Sequence, residues 1–233
     1  MKKGQFRSIQ GLLTSNRPLV VGTIHEKLGL QRVRRGAVPS GLDLLEVRLD
    51  CLGEADLPKK WPLPVIATAR HPEEGGEGGL SSGRRAELLH DAVSWASAID
   101  VELRSARELA PVIAKAHQFG RTVILSHHDF KATPSRNFLK RRAVSAASSG
   151  ADLFKVATLL RDRSDLLTLI DFQAGNSPVP VAAMGMGTAG RFSRLVLGGF
   201  GAPLCYGWIG KPQVPGQWPA AELRNLLNVV LPA

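Results

Sequence analysis

The sequence has few cysteines and no long apolar run. Cys51 and Cys205 are the two cysteines among 233 residues, and neither belongs to a C-x-x-C pair or a His/Cys cluster. This pattern argues against a disulfide framework and against a zinc site. No apolar segment approaches the length of a membrane span, and Met1–Ser15 lacks the apolar core of a signal peptide. These absences predict a soluble, cytoplasmic protein with no membrane contact and no bound metal.

Acidic residues are also scarce relative to basic ones. The chain has 30 Lys and Arg against 20 Asp and Glu, a formal net charge of +10. Such a surplus suits a nucleic-acid-binding protein or an enzyme with an anionic metabolite. The basic residues fall into separate clusters at 31–35, 84–85 and 140–142, with one tyrosine and no aromatic RNA-binding motif. The distribution favours a solvated basic surface and predicts no nucleic-acid partner.

Short apolar, β-branched segments alternate with amphipathic ones along the chain. The 233 residues, 44% of them hydrophobic, suffice for one substantial core. The alternation predicts the α/β class, as a (β/α)₈ TIM barrel that forms a single domain over residues 1–233 with a short N-terminal extension. The predicted strands are Pro18–Ile24, Asp43–Leu49, Pro64–Ala69, Ala98–Leu103, Thr122–Ser126, Ala151–Ala157, Val179–Met184 and Ala202–Tyr206.

The segments between the strands predict outer helices. Apolar residues recur at spacings of three and four, and the predicted helices are Gly83–Ser97, Ala106–Phe119, Ser135–Ser149, Asp162–Gln173 and Ala220–Val230. Residues 25–41 are rich in Gly and Arg, so the first connection is predicted to be short or irregular. Residues 1–17 are predicted to form a hairpin or strand that closes one end of the barrel.

Polar residues stand where the predicted strands end. In a parallel barrel the active site lies at these carboxyl ends, and residues two apart on a strand point to the same face. The strand ends carry Thr23, Glu46 with Arg48, Arg70, Asp100 with Glu102, the run 127–129, Lys155 and the loop 184–194. Charged pairs that point inward need partners, which neighbouring strand ends would supply.

Lys155 and the histidine pair are the candidates for chemistry. A lysine at a strand end more often forms a salt bridge or extends its ammonium group to the solvent than acts as a nucleophile. Lys155, however, interrupts the apolar segment Ala151–Ala157, and burial there would favour the uncharged amine that a Schiff base needs. His127 and His128 lie one strand earlier and could be structural or could move protons. Neighbours on a strand face opposite ways, so one of them is expected to enter the site.

The segment Gly185–Gly190 matches the pattern G-x-G-x-x-G of dinucleotide-binding proteins. That fingerprint belongs to a first β-α-β unit with an acidic residue about twenty positions later. Here it follows the seventh predicted strand, and the next acidic residue is Glu222. We therefore interpret the segment as a flexible loop beside an anion-binding arginine, either Arg191 or Arg194, and predict no cofactor.

Taken in order, these motifs resemble the type I 3-dehydroquinate dehydratase family. The resemblance runs from Pro18 to the C-terminus. The occurrence of all the motifs in the same order is a far more specific signal than any one motif alone. The matching segments are Glu46–Asp50 (E-x-R-x-D), Arg70 with Glu74–Glu77 (R-x-x-x-E-G-G-E), Asp100–Leu103 (D-x-E-L), Ser126–Phe130 (S-x-H-D-F), Lys155–Ala157 (K-V-A), Met184–Met186 with Ser193-Arg194, and Pro215–Gln217 (P-G-Q).

The resemblance implies a cofactor-free dehydration of 3-dehydroquinate to 3-dehydroshikimate in the shikimate pathway. Because no metal-ligand cluster is visible in the sequence, we expect the activity to resist chelators. Lys155 would form an imine with the C3 ketone, and His128, chosen over His127 by the motif, would move the proton. Glu74 would orient the imidazole. The implied substrate contacts are Thr23, Glu46, Arg48, Arg70, Arg194, Gln213 and Gln217. Members of the family often form dimers, so the resemblance is consistent with a homodimer.

Gln213 departs from the family pattern, which usually has a serine two residues before the proline of P-G-Q. The larger side chain is expected to alter closure of the loop over the substrate and the affinity more than the chemistry. Two alternatives stay open at this point. One is another Schiff-base barrel enzyme, such as a class I aldolase acting on a phosphorylated sugar. The other is a non-catalytic basic binding protein that keeps the barrel.

Overall fold

Eight parallel strands alternate with helices, as the sequence predicts for a (β/α)₈ barrel. The computed structural model describes residues 8–15, 17–53 and 55–231. The strands are Leu19–Ile24 (β1), Leu44–Arg48 (β2), Val65–Thr68 (β3), Ala98–Glu102 (β4), Thr122–Asp129 (β5), Leu153–Leu159 (β6), Val181–Met186 (β7) and Leu204–Trp208 (β8). The helices are Lys27–Arg34 (α1), Leu49–Leu52 (α2), Ser82–Ala92 (α3), Ala110–Gln118 (α4), Arg136–Ser148 (α5), Arg163–Gln173 (α6), Gly190–Gly199 (α7) and Ala220–Val230 (α8).

The strands pair in parallel in the order β7-β6-β5-β4-β3-β2-β1-β8. β7 and β8 are therefore the two ends of the ladder, and they meet at a seam that closes the barrel. The register places Thr23 beside Glu46 between β1 and β2, and Ser126 beside Lys155 between β5 and β6. Residues distant in sequence thus come level with one another at the carboxyl ends of the strands.

Each strand presents alternate residues to the barrel interior, as the twofold period of a strand requires. Near the amino ends the inward residues are apolar, and they include Leu19, Leu44, Ile66, Leu153 and Leu204, which form one interior cluster. The outward residues pack with the helices in a second, larger cluster. The apolar interior layer closes the bottom of the barrel, so the next inward residues on each strand form the floor and walls of a cavity.

Helix boundaries follow the capping chemistry of the sequence. Ser81, Ser135 and Asp162 precede α3, α5 and α6, and the side chain of each accepts a backbone N–H of the first turn. α5, α6 and α8 begin and end within one residue of the predicted segments. α3 and α4 are shorter than predicted, and α1 confirms the expected short first connection, with eight residues. α7 is not among the five predicted helices.

The predicted hairpin or strand at the N-terminus is wrong for residues 8–15, which form consecutive turns. Their backbone bonds are local, as in Leu12 N–H to Ile9 O and Ser15 N–H to Leu12 O, so no strand partner is needed. Ile9 is fully buried and joins the interior apolar cluster, so the extension does fill the bottom of the barrel. Residues 1–7 and 16 of this prediction lie outside the described residues. None of the helices in the described ranges combines the length and apolarity that crossing a bilayer would demand.

Candidate active site

All ten residues that the sequence nominates line a single cavity at the carboxyl ends of the strands. Its volume is about 270 Å³. The nominated residues in its wall are Thr23, Glu46, Arg48, Arg70, Glu74, His128, Lys155, Arg194, Gln213 and Gln217. Most follow the apolar floor by two or four positions on their own strand, so the alternation that buries the floor also turns them inward.

Lys155 is a buried amine held between carboxylates. Its Nζ lies 2.8 Å from Oδ2 of Asp100 and 3.3 Å from Oε1 of Glu46, and the residue is 4% exposed. Glu46 is itself held by the hydroxyls of Thr23 and Thr68, which donate to its two oxygens at 2.9 and 3.0 Å. The amine is therefore fixed in position by the protein itself.

Arg70 balances the negative charge beneath the lysine. Its guanidinium donates to both carboxylate oxygens of Asp100 at 3.0 and 2.9 Å, and to Glu102 and Ser126. Burial opposes the charge of Asp100, but Arg70 and Lys155 outweigh it and hold the pKa of Asp100 well below its usual value. Burial likewise opposes the charge of Glu46, and Lys155 chiefly lowers its pKa. Both carboxylates are therefore ionised at neutral pH.

His128, on the strand next to that of Lys155, forms a buried pair with Glu74. Oε2 of Glu74 accepts the backbone N–H of His128 at 2.9 Å and lies 3.0 Å from Nδ1 of its ring. Burial, reinforced by Arg70 and Lys155, lowers the pKa of His128 well below 6.5. Burial, reinforced by Glu102, raises the pKa of Glu74 to about 7. The imidazole is therefore uncharged at neutral pH, and the bond at Nδ1 leaves Nε2 for proton exchange.

His127 points away from the cavity, as expected for the neighbour of an inward residue. Its ring lies 5.8 Å from that of Phe138 on α5. Both ring nitrogens are buried, and neither has a hydrogen-bond partner among the residues described. Burial, followed by the charge of Arg142, lowers its pKa. The structure thus brings His128, and not His127, to the site.

Arg194 is a buried cation with no acidic partner in the described part of the chain. Its Nη1 donates to the carbonyls of Gly185, Gly190 and Gly216 at 2.7–2.8 Å, and its Nε donates to that of Tyr206 at 3.0 Å. Burial lowers its pKa to about 10. Arg191 is exposed, and its guanidinium lies 4.9 Å from the ring centre of Trp218. The arginine that faces the cavity is therefore Arg194.

The loop between β8 and α8 covers one side of the cavity. Oε1 of Gln217 accepts the backbone N–H groups of Gln213 and Val214, which turns its amide nitrogen away from the loop. Oε1 of Gln213 accepts from Nη1 of Arg48 at 2.6 Å, and its Nε2 lies 3.6 Å from Sγ of Cys51. Gln213 therefore fastens this loop to β2 and α2.

Gly76 and Gly216 let the backbone around the cavity pass closer to neighbouring backbone atoms than a residue with a side chain could. A Cβ atom at Gly76 would lie 2.2 Å from the carbonyl oxygen of Arg70, so only glycine lets the chain turn back beside Arg70 and carry Glu74 into the cavity. Gly216 has φ of +83°, and a Cβ there would lie 2.1 Å from the oxygen of Gly187. These contacts explain the glycines of the E-G-G-E and P-G-Q segments.

Two residues of the site, Asp50 and Tyr206, were not predicted from the sequence to have individual roles. Asp50 holds Arg48 through two bonds of 2.9 and 2.7 Å and also accepts the backbone N–H groups of Arg70 and Glu77. Tyr206 lies beneath Lys155, with the Nζ 4.3 Å from its ring centre. Tyr206 follows the inward Leu204 by two positions on β8, and Asp50 belongs to the E-x-R-x-D motif; these are the signals that could have found them. Across the described ranges no group of three or more His, Cys, Asp or Glu side chains is arranged to hold a metal.

Comparison with known proteins gives a consistent assignment. The family model for type I 3-dehydroquinase matches residues 20–231. The 3-dehydroquinate dehydratase of Methanosarcina barkeri is 34% identical, covering 91% of this chain and 94% of that protein. That of Methanothermobacter thermautotrophicus is also 34% identical, covering 84% and 89%. A crystal structure of type I 3-dehydroquinate dehydratase from Clostridium difficile superposes with a TM-score of 0.81 at 26% identity, covering 93% of each chain. The chain, with lysine, histidine and arginine facing one cavity, belongs to the type I 3-dehydroquinase family.

Proposed function

We propose that this chain dehydrates 3-dehydroquinate to 3-dehydroshikimate, a step of the shikimate pathway to aromatic amino acids, through an imine on Lys155. Family membership supports the reaction, since relatives that match most of the chain are named 3-dehydroquinate dehydratase. The cavity supports the mechanism. An amine, an uncharged imidazole and an arginine held only by carbonyls of the described residues face one small volume, and this convergence carries the proposal.

The reaction begins at Lys155, whose ammonium gives up one proton so that the free amine can add to the C3 ketone. The hydroxyl of the adduct then takes up that proton and leaves as water, which gives a protonated imine. His128 removes a proton from C2, and the electrons of that bond move into the imine to give an enamine. They return to expel the C1 hydroxyl, which takes the proton from His128 and leaves as water. Hydrolysis then frees the product and the lysine, so the net change is the loss of one water.

Binding of an anionic substrate completes the charge balance of the site. The substrate carboxylate supplies the acidic partner that Arg194 lacks within the described ranges, and the amide nitrogen of Gln217 adds a donor beside it. Glu46, Arg48, Arg70 and Thr23 line the wall that would hold the hydroxyls. Glu74 acts through His128, because its Oε2 lies at Nδ1 and fixes the orientation of the ring.

We extend the proposal to a single-domain enzyme that works in the cytoplasm as a homodimer, without metal or organic cofactor. The family resemblance supports the dimer, and Cys51 and Cys205 are both free thiols, as expected in a reducing compartment. Sedimentation at micromolar concentration tests the dimer, and a monomeric mass would contradict it.

Borohydride trapping tests the chemistry. The protein is mixed with 3-dehydroquinate and reduced, and the adduct is located by peptide mass spectrometry, while turnover is followed by the ultraviolet absorbance of the conjugated enone. We expect an adduct on the Lys155 peptide, none in Lys155→Met, and turnover in the parent alone. An adduct with a phosphorylated sugar but none with 3-dehydroquinate would favour the aldolase alternative. No adduct and no turnover in folded parent protein would refute the proposal.

A further inference from the structure

Tyr206 on β8 presents the face of its ring to the reactive amine. Its ring centre lies 4.3 Å from Nζ of Lys155, within the range at which a cation is attracted to an aromatic face. The residue is 3% exposed and lines the cavity. The contact is desolvated, which is the condition under which such an interaction is strongest.

The hydroxyl of Tyr206 takes no visible part in the site. It is buried and has no hydrogen-bond partner among the residues that the structure describes. Burial, reinforced by the charges of Glu46 and Asp100, raises the pKa of Tyr206 well above its usual value. The side chain is therefore an uncharged phenol throughout the working range. Its ring face, rather than its oxygen, is the part that meets Lys155.

The carboxylates around Lys155 cannot keep all their contacts once the imine forms. The ammonium has three N–H donors and contacts both Asp100 and Glu46, whereas a protonated imine has one. Asp100 already accepts from Arg70 and Ser126. At least one charge-assisted bond to Nζ therefore breaks at the moment when the nitrogen must remain positive.

We propose that the ring of Tyr206 is a catalytic contact that keeps the positive charge at Nζ of Lys155 as the ammonium becomes a protonated imine. This role presupposes the Lys155 imine proposed above. Attraction to a ring face depends on the charge and its position and not on the number of N–H donors. The contact survives the change of donor number, and it favours the protonated imine, which is the form that withdraws electrons from C2.

Loss of the ring is expected to change kcat rather than the binding of the substrate. The ring touches the nitrogen that changes, whereas Arg194 meets Tyr206 only through its backbone carbonyl. Losing the ring is expected to lower kcat by roughly 10- to 30-fold, the size of a desolvated cation–π contact. KM is expected to change by less than about threefold, because the side chains proposed to bind the substrate carboxylate and hydroxyls are unchanged.

The test replaces residue 206 in the full-length protein and measures kcat, KM and borohydride trapping with 3-dehydroquinate. Tyr206→Phe is the matched control, because it removes only the hydroxyl. Tyr206→Leu removes the ring. A third set places phenylalanine with one, two or three ring fluorines at 206, which withdraws electron density from the face with little change of volume. Thermal midpoints are recorded for every variant.

We expect Tyr206→Phe to stay within about threefold of the parent and kcat to fall stepwise with each fluorine while the thermal midpoint holds. A flat fluorine series would overturn the role of Tyr206, even if Tyr206→Leu is inactive or fails to fold. Trapping separates the two proposals. An adduct on Lys155 with a flat series refutes the ring contact alone, whereas no adduct in the parent refutes the imine and this role together.

Discussion

Replacing Gln213 by alanine removes the side chain that fastens the β8–α8 loop over the cavity. Oε1 of Gln213 accepts a hydrogen bond of 2.6 Å from Nη1 of Arg48, and alanine cannot make this bond. Hydrogen bonds to charged groups contribute about 1.5–3 kcal/mol. Because Gln213 is only half-buried and water can replace the amide on Arg48, we expect about 1–2 kcal/mol. At about 1.4 kcal/mol per factor of ten, the closed loop becomes roughly 5- to 30-fold less favoured.

The substitution should raise KM for 3-dehydroquinate by the same factor, since the loop carries Gln217 but not the reacting residues. We expect kcat to change by less than about threefold. Steady-state kinetics by enone absorbance gives both constants, and hydrogen exchange of residues 210–217 reports the loop directly. Cys51→Ala is the control, because it removes the weak sulfur contacts of 3.6 Å to Gln213 and 3.5 Å to Asp50 but keeps the bond between Gln213 and Arg48, and it should leave KM within about twofold. If Gln213→Ala exchanges no faster than the parent and its KM is unaltered, the fastening role is wrong.

Two further predictions concern pH. Because the folded state lowers the pKa of His127 through burial, the unfolded chain binds the extra proton first, and the free energy of unfolding falls as pH drops below about 6.5. His127→Leu should reduce this slope by at most about 1.4 kcal/mol per pH unit in denaturant titrations; an unchanged slope would assign the pH dependence to other groups. The pKa of Glu74, raised to about 7, predicts an acid limb of kcat/KM near that pH, since protonation removes the negative charge that Oε2 of Glu74 places beside Nδ1 of His128. Glu74→Gln should lower kcat/KM and lose this limb, and a variant that keeps it would assign the limb elsewhere.

The barrel was predictable because apolar runs and amphipathic segments alternate at a regular spacing. The exact residues at which the strands end could not be predicted. β5 was predicted to end at Ser126, because two histidines and an aspartate look like a loop, yet the ladder continues to Asp129, with His128 level with Ala157 of β6. The pairing of a neighbouring strand overrides local propensity there. α7 contains three glycines, which disfavour a helix, and its first residue, Gly190, ends the segment that was interpreted as a loop.

The residues of the site also fall into those that could be predicted from the sequence and those that could not. Residues that face inward by strand alternation, such as Lys155 and Glu46, could be predicted together, because parallel strand ends meet at one rim. The partner of Gln213 could not be predicted. Its bond to Arg48 joins residues 165 positions apart, through a loop whose course depends on Gly216 packing against Gly187. Side chains on loops take their contacts from tertiary structure, which no local pattern encodes.

The position of Arg194 has a consequence for the stability of the whole molecule. β7 and β8 are the two ends of the strand ladder, and this one guanidinium donates to the carbonyl of Gly185 on β7 and to that of Tyr206 on β8. The side chain that we propose binds the substrate carboxylate thus also connects β7 and β8, between which the ladder of the described residues has its gap. Removing the guanidinium would leave the carbonyls of Gly185 and Tyr206 without this donor, so a substitution at Arg194 is expected to weaken the contact between β7 and β8 as well as any binding of the substrate.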